Sequence, residues 1–352
     1  MTSLSKLDRS QKIKIGLEAT SHYGSNIKVF LTKQGFKFIE LNPLKVSISR
    51  FYSQISLKRT KTDEVDCLVI AQFISTHDEN ANSYQQPLYH LEALKSITRL
   101  RGSYVSQRST ILIKMTNILD TVFPNLKVFS LENANQPQHY ILKKYKIHSR
   151  ISKWNEQDIM NIHNISSIIP FSKLEEIKKT AKNTVRNTSS YLIFELHSLI
   201  KSFESLNNEI IKLENEITTI MNDIDSPIAS IPGIGTISVA TIISEFGDFV
   251  KFDFQTQCVM FAELDAGISQ PGAKCFKEKM VKCVSSHLRY TLMNVVKTVC
   301  IHNETFKLYW LKKKVKEKKN MRVAHSHTAK KLIRLIYHLE TNQIKFDPSL
   351  SR

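Results

Sequence analysis

The fold of the N-terminal part is decided by the stretch Lys12-Ile13-Lys14-Ile15-Gly16-Leu17-Glu18. Polar and apolar residues alternate along it, which predicts a strand that ends at Glu18. Apolar residues at helical spacing predict a helix over Ser25 to Lys33, and Phe36 to Leu41 returns to residues typical of strands. Because two parallel strands need a crossover of this kind, we predict a small α/β sheet with Glu18 at its C-terminal edge.

A pair of carboxylates follows this unit at helical spacing. Asp63 and Asp66 begin an apolar-striped helix, and residues three apart on a helix project from one face. Together with Glu18 at a strand end, they form a set of three oxygen ligands suited to Mg²⁺. The alternative is an ordinary helix start, because Thr60 lies three residues before Asp63 as in a capping box and acids favour a first turn.

Charge points to a polyanionic partner. The chain has 352 residues with 50 Lys and Arg against 32 Asp and Glu, a net charge of +18. The stretch from Lys307 to Arg334 is its most basic part, with Glu317 as its one acid. We therefore expect nucleic acid as the partner, with contacts from Lys312, Lys313 and Lys314. A basic run can also be no more than a solvated helix face.

Cysteine usage and hydropathy indicate a soluble, cytoplasmic protein. The five cysteines are odd in number and form no Cys-x-x-Cys pair, so they are a poor disulfide framework. Cys275, Cys283 and His287 are close in sequence, but a structural zinc site needs a fourth ligand. The chain start lacks a signal-peptide core, and no apolar run is long enough to cross a membrane, so we expect no membrane partner.

The clearest periodicity predicts a coiled coil. Nine apolar residues follow one another at alternating spacings of four and three, namely Leu192, Leu196, Leu199, Phe203, Leu206, Ile210, Leu213, Ile217 and Ile220. The partner of this seam is either a second copy of the chain, which we favour, or another helix of the same chain. A second long helix is predicted over Leu91 to Leu119, and residues 130–180 suggest a variable, mostly helical insert.

The sequence Ile231-Pro232-Gly233-Ile234-Gly235 precedes an apolar helix and is typical of a helix-hairpin-helix turn. In such a turn Gly233 and Gly235 let the backbone N–H groups approach a phosphate closely. The positive end of the following helix would favour the anion further. A tight turn between two helices, with no ligand, is the alternative.

These features occur in the order of a known family. The motifs are Gly16-Leu-Glu18-Ala-Thr-Ser-His-Tyr23, Asn42-Pro43, Lys61-Thr-Asp63-Glu-Val-Asp66, Leu94 to Arg101, Ser230-Ile-Pro-Gly-Ile-Gly235, Gly247-Asp248-Phe249, Ser285-Ser-His-Leu-Arg289 and Phe346-Asp347-Pro348. The ordered set, from about residue 12 to residue 348, resembles the DEDD-type transposases of the insertion sequence 110 family, relatives of the Piv-type DNA invertases.

The resemblance implies an RNase H-fold, RuvC-like domain whose four acids bind Mg²⁺, and Glu18, Asp63 and Asp66 match the second, third and fourth of them. It also implies a dimerising coiled-coil arm, a C-terminal domain with a nucleophilic serine, and a structured guide RNA that pairs with DNA. Arg289, within the matching C-terminal motif, is expected to contact nucleic acid. The expected domains are residues 1–80 (partial RuvC-like), 85–180 (helical extension and insert), 185–224 (coiled coil) and 225–350 (C-terminal transposase domain).

Two departures from the family lead us to expect a truncated or decayed copy. Only seventeen residues precede Glu18, too few for the strand that carries the family's first acid. The position of the nucleophilic serine aligns with Pro271, which has no hydroxyl, and Ser269 is displaced from it by about 6–7 Å in an extended segment. The expected function is therefore that of a DNA-binding transposase of an insertion sequence, inactive in its present form. Its rivals are a non-catalytic coiled-coil nucleic-acid-binding protein and a nuclease that uses the three acids alone.

Overall fold

The computed structural model describes residues 14–18, 24–41, 63–76, 89–122, 153–165, 171–183, 190–264 and 285–348. The chain divides into two compact units, Met1–Tyr89 and His90–Arg352. The first is α/β and the second, where it is described, is helical.

The first unit contains the predicted strand-helix-strand arrangement. It consists of β1 (Ile15–Glu18), α1 (Ser25–Lys33), β2 (Phe38–Leu41) and α2 (Asp63–Thr76). The two strands are parallel, and Glu18, the last residue of β1, lies opposite Leu41. The α/β prediction is thus confirmed at this level, and both strands are shorter than the pattern suggested.

Helix α2 packs on β1 at a glycine. A Cβ atom added to Gly16 would overlap Ile74 Cδ1 and lie 3.0 Å from Ile70 Cγ2. Only a residue without a side chain allows so close an approach of helix to strand. Val69 and Ile74 of α2 and Leu41 of β2 are the buried centre of this small core.

The second unit begins with α3 (Tyr89–Val122) and continues with α4 (Glu156–Ile165), α5 (Phe171–Asn183) and α6 (Ser190–Asn222). Further along are α7 (Thr236–Phe246), α8 (Gln255–Phe261), α9 (Ser286–His302), α10 (Glu304–Leu311) and α11 (Met321–Asn342). Short 3₁₀ turns at Pro227–Ser230 and Phe249–Lys251 flank α7, and a π-helical turn at Lys312–Lys316 extends α10. Where the pattern suggested only short helices after Phe252, α11 is a single helix of 22 residues.

Helix α6 contains the predicted seam, and a helix of the same chain covers part of it. Arg101 of α3 pairs with Glu214, and Arg108 donates a hydrogen bond to Asn207. As the residue number rises along α3 it falls along α6, so the two helices are antiparallel. The seam residues that lie seven positions apart from Leu196 to Ile217 are buried inside the chain, namely Leu196, Phe203, Ile210 and Ile217. This corrects our preference for a second copy as the partner along this stripe, because a heptad pattern does not say which helix covers it.

The other seam residues are less buried. Leu206 and Leu213 are both half-buried, and each follows a residue of the covered stripe by three positions. The structure therefore leaves a second, partly open apolar row on α6.

The main core of this unit joins the far end of the α3–α6 hairpin to the C-terminal helices. It contains fully buried Phe246 from α7, Val296 from α9 and Ile333 from α11, with Leu94 from α3 and Ile217 from α6. None of the described helices combines the length and apolar composition needed to cross a bilayer.

Candidate functional site

The three predicted acids lie on facing surfaces of the first unit. Side chains alternate along a strand, so Glu18 is on the same face of β1 as Gly16, where α2 packs. On α2, Asp63, Asp66 and Ile70 follow one another at spacings of three and four, so the two aspartates share the stripe that contacts Gly16. Glu18 and Asp66 are half-buried, and Asp63 is exposed.

Carboxylates are the ligands that Mg²⁺ prefers, so the chemistry of this set fits the ion. Its spacing does not, because among the described residues no three His, Cys, Asp or Glu side chains lie close enough together to hold a metal ion. Convergence of Glu18, Asp63 and Asp66 on one ion stays a prediction, and we derive no chemical step through a metal.

The two predicted phosphate-binding glycines in the turn before α7 have different structural roles. Gly233 has a φ of +94°, and the N–H of Ile234 donates to the carbonyl of Ile231, 3.2 Å away, as in a type II turn with Pro232 and Gly233 at its centre. A Cβ on Gly233 would also lie 2.8 Å from the carbonyl oxygen of Thr298. Backbone geometry and packing thus explain this glycine without a ligand.

Gly235 is different. It is exposed at the N-cap of α7, its φ is −81°, and a Cβ there would meet nothing within 4 Å. No structural need for glycine is visible at this position, so Gly235 is the one of the pair that is free to approach an anion at the positive end of α7.

A buried ion-pair network links three helices of the second unit. Glu245 of α7 is only 2% exposed, and the guanidinium of Arg99 from α3 donates two hydrogen bonds to its carboxylate, at 2.6 and 2.8 Å. Ser285, the N-cap of α9, donates a third at 3.0 Å, and Lys95 lies 3.7 Å away. Burial by itself acts to raise the pKa of Glu245, but the bonds from Arg99 and the charges of Lys95 and Arg99 outweigh it and hold that pKa below its ordinary value.

Arg289, a predicted nucleic-acid contact, forms an ion pair inside the fold. Its Nη1 donates to the buried carboxylate of Glu263. Glu263 has a φ of +53°, the left-handed region that favours glycine. The pair explains Arg289 as a structural residue, and no pattern in the sequence indicated that Glu263 is its partner.

The basic run forms an exposed surface built on aromatic residues. Lys312 and Lys314 are exposed, and Lys313 pairs with Glu317 at 2.7 Å. The Nζ of Lys314 lies 4.7 Å from the ring centre of Trp310. Glu317, the single acid of this run, neutralises only one of its lysines, so the surface keeps a strong positive charge.

Sequence reasoning missed the Arg99–Glu245 contact, although a signal was present. Glu245 is the only charged residue of α7, an otherwise apolar helix. A lone carboxylate in such a helix indicates a buried charge that needs a basic partner. The identity of the partner, Arg99, could not be predicted from the sequence, since it lies 146 residues away.

Several predicted positions lie outside the described residues. These are Ser269 and Pro271, at the expected nucleophile position, and Cys275 and Cys283 of the zinc alternative. The described cysteines, Cys67, Cys258 and Cys300, are free thiols.

Comparison with known proteins identifies the family. Residues 2–124 match a model of IS110-type DEDD transposases, described as a transposase, and residues 225–311 match the model described as the transposase of the IS116/IS110/IS902 family. No curated protein matches the chain. The two models occur in the order that the motifs predicted and together cover more than half of the sequence, and we conclude that the chain belongs to the IS110 family of transposases.

Proposed function

We propose that this chain is a DNA-binding transposase of an insertion sequence that is inactive in transposition, that it binds DNA through its C-terminal basic surface, and that Glu18, Asp63 and Asp66 are the acids of its catalytic domain. The observation that carries the proposal is the placement of these acids on facing surfaces of β1 and α2, inside the segment that matches the DEDD-type transposase model. An RNase H-like arrangement of the first unit would give the acids this position at a strand edge.

Glu18, Asp63 and Asp66 are the residues proposed to hold a divalent ion, because their chemistry fits it; in this structure they are not close enough together to share one. The chain's own contribution is to orient the carboxylates: α2 fixes Asp63 and Asp66 within one turn, and the close packing at Gly16 brings that helix against the strand that ends at Glu18.

DNA and a structured guide RNA are the partners that we propose the second unit binds. Lys312, Lys313 and Lys314 supply positive charge on the surface, and Gly235 leaves the N-terminus of α7 open to a phosphate. A turn of the helix-hairpin-helix kind would bind the backbone without reading sequence. Pairing between RNA and DNA would then supply the choice of target.

The serine step of the family is proposed to be absent. A covalent joint to DNA needs a hydroxyl oxygen that attacks phosphorus, and Pro271 has none. Ser269 cannot replace it without a local rearrangement, because near-attack geometry tolerates a displacement of only about 1 Å. We therefore expect DNA binding without a protein–DNA adduct that survives denaturation.

Self-association is proposed through the half-buried row of α6. Leu206 and Leu213 are the residues whose exposed parts a second copy would cover. Light scattering of the Leu206→Lys variant tests this, because a buried unpaired ammonium costs several kcal/mol and should yield monomers. An unchanged mass at unchanged helicity would mean that the α3–α6 hairpin is complete within one chain.

Metal binding and DNA nicking together test the acidic site. We expect weak Mn²⁺ binding by calorimetry, lost in each of Glu18→Gln, Asp63→Asn and Asp66→Asn. The matched control is Glu209→Gln, which removes an exposed acid of α6 that pairs only with Lys212 across one helical turn. If the three variants bind Mn²⁺ and nick element-end DNA as the control does, the acids are ordinary helix-start residues and the non-catalytic alternative stands.

A further inference from the structure

The basic surface of the second unit contains a set of lysines held over aromatic rings. Tyr309 and Trp310 of α10 lie four residues before Lys313 and Lys314, and each lysine places its ammonium over the ring one turn back, at 5.6 and 4.7 Å. From α11, Lys331 reaches across to the ring of Tyr309, at 5.1 Å. Two ammonium groups therefore share the ring of Tyr309, one from each helix.

The aromatic rings of this surface are already occupied. Trp310 stacks on His325 of α11 with ring centres 5.6 Å apart, in addition to its contact with Lys314. Phe306, the remaining ring, is only 2% exposed and lies beneath Lys331 at 5.4 Å. An aromatic residue that binds unpaired bases needs an open face, and these rings contact protein groups instead.

The lysines are therefore positioned before any ligand arrives. A cation over an aromatic ring is attracted by the quadrupole of the ring, so Tyr309 restrains the heads of Lys313 and Lys331. The π-helical turn adds to this order, because the N–H of Glu317 donates to the carbonyl of Lys312, 3.1 Å away, and Lys313 is tethered to Glu317. Holding long side chains in place lowers the entropy cost of binding a phosphate.

From this arrangement we infer that the surface formed by Lys313, Lys314 and Lys331 binds the phosphodiester backbone of a double helix, and that Tyr309 and Trp310 position the lysines and do not stack on bases. The inference deepens the nucleic-acid binding proposed above and rests on it. It adds Lys331 and Tyr309 to the interface and assigns it a backbone ligand, of DNA or of RNA.

The test measures affinity against salt for the full chain with three probes of equal length: a DNA duplex of arbitrary sequence, the RNA duplex of the same sequence, and one DNA strand alone. Anisotropy should show binding to a duplex that weakens steeply with salt, and Lys331→Gln should reduce the slope by about 0.9. The matched control Lys212→Gln removes an exposed charge of α6, remote in sequence from this surface, and should leave the slope unchanged. A tighter complex with one of the two duplexes would identify which backbone the surface takes.

The role of the Tyr309 ring is tested with variants that keep all the lysine charges of the surface. Tyr309→Leu should weaken duplex binding about two- to fivefold, whereas Tyr309→Phe, which keeps the ring, should not. Thermal melts by circular dichroism confirm that each variant is folded. The inference is overturned if Tyr309→Leu weakens the single strand more than the duplex, which indicates base stacking, or if Lys331→Gln behaves as Lys212→Gln does. If Lys331→Gln leaves duplex binding unchanged while the acidic site still nicks DNA, this inference fails and the proposed role of the acids stands.

Discussion

Two glycines show how differently the two units are held together. In the first unit, Gly16 lets α2 approach β1, and the groups that its side chain would meet are the ends of Ile70 and Ile74. In the second unit, Gly233 faces the backbone of Thr298 and Val299 in α9 and also has a positive φ. The first contact can yield by moving a side chain, but the second can yield only by moving a helix. Of these two contacts, the one in the second unit is therefore the less adaptable.

The carboxylates of the two units differ in the same way. Glu245 and Glu263 are buried in the second unit, and each has an arginine partner. In the first unit, Glu40 pairs with Lys28, but Glu18 and Asp63 form no ion pair within the described residues, and Asp63 is exposed. Charge in the second unit thus divides between buried pairs that stabilise the fold and surface lysines that are left for a ligand.

The largest effect is expected at Gly233. Replacing it with alanine places a Cβ about 3 Å from backbone atoms and forces a left-handed conformation, which should lower the free energy of unfolding by about 3 kcal/mol. Gly235→Ala is the matched control and should lower the free energy of unfolding by less than about 1 kcal/mol, because nothing lies within 4 Å and only the N-cap preference for glycine over alanine is lost. Chemical denaturation compares the two. Equal stabilities would mean that α9 adapts, and the contrast between the two contacts would be lost.

Breaking the buried pair should cost somewhat less. Arg99→Met leaves the buried carboxylate of Glu245 with Lys95 and Ser285 only, and we expect a loss of about 2–3 kcal/mol at neutral pH. Because the pKa of Glu245 is lowered in the fold, its contribution is present above its ordinary pKa of 4.5 and is lost as the pH falls through the lower, folded value. Lys212→Met, at an exposed pair, should change stability by less than about 0.5 kcal/mol. Urea titrations at several pH values check both. A loss with Arg99→Met that stays the same at acid pH would contradict the assignment.

Replacing Gly16 with alanine should lower the free energy of unfolding by about 1–2 kcal/mol. Gly16→Ala forces Ile74 to shift, and Ile74→Val removes the Cδ1 atom that the new methyl group would overlap. The double variant should therefore regain part of the stability lost by the first, as a double-mutant cycle would show. If Ile74→Val only adds to the loss, the clash involves the helix backbone and the two units are alike in this respect.

The smallest effect is expected at Glu340 of α11. Its burial raises the pKa of the carboxyl group, even though Ser226 donates a hydrogen bond to it. An acid with a raised folded pKa contributes stability below its ordinary pKa and loses it as the pH rises through the folded value. Glu340→Gln should therefore stabilise the chain slightly at neutral pH, by about 0.5 kcal/mol or less, while Glu245→Gln destabilises it. Thermal melts at pH 4 and pH 7 distinguish the two signs.

Local patterns in the sequence were sufficient for the elements and their order. Alternation up to Glu18, the crossover and the return at Phe38 specify a parallel strand pair, because no shorter connection can join parallel strands. The start of α2 at Asp63 and the single long helix of the seam follow from residues a few positions apart. The ordered motifs also identified the family.

Contacts between distant residues were decided by the tertiary structure alone. A heptad pattern shows which face of α6 is apolar, but the antiparallel pairing with α3 depends on how the intervening chain folds back. The partners of Glu245, Arg289 and Tyr309 come from other segments of the chain, up to 146 residues away. Periodicity reports burial within one element, whereas ion pairs and ring contacts depend on the packing of several elements. For that reason the sequence marked Arg289 and Gly233 as ligand-binding residues, and the structure explains both by packing within the protein.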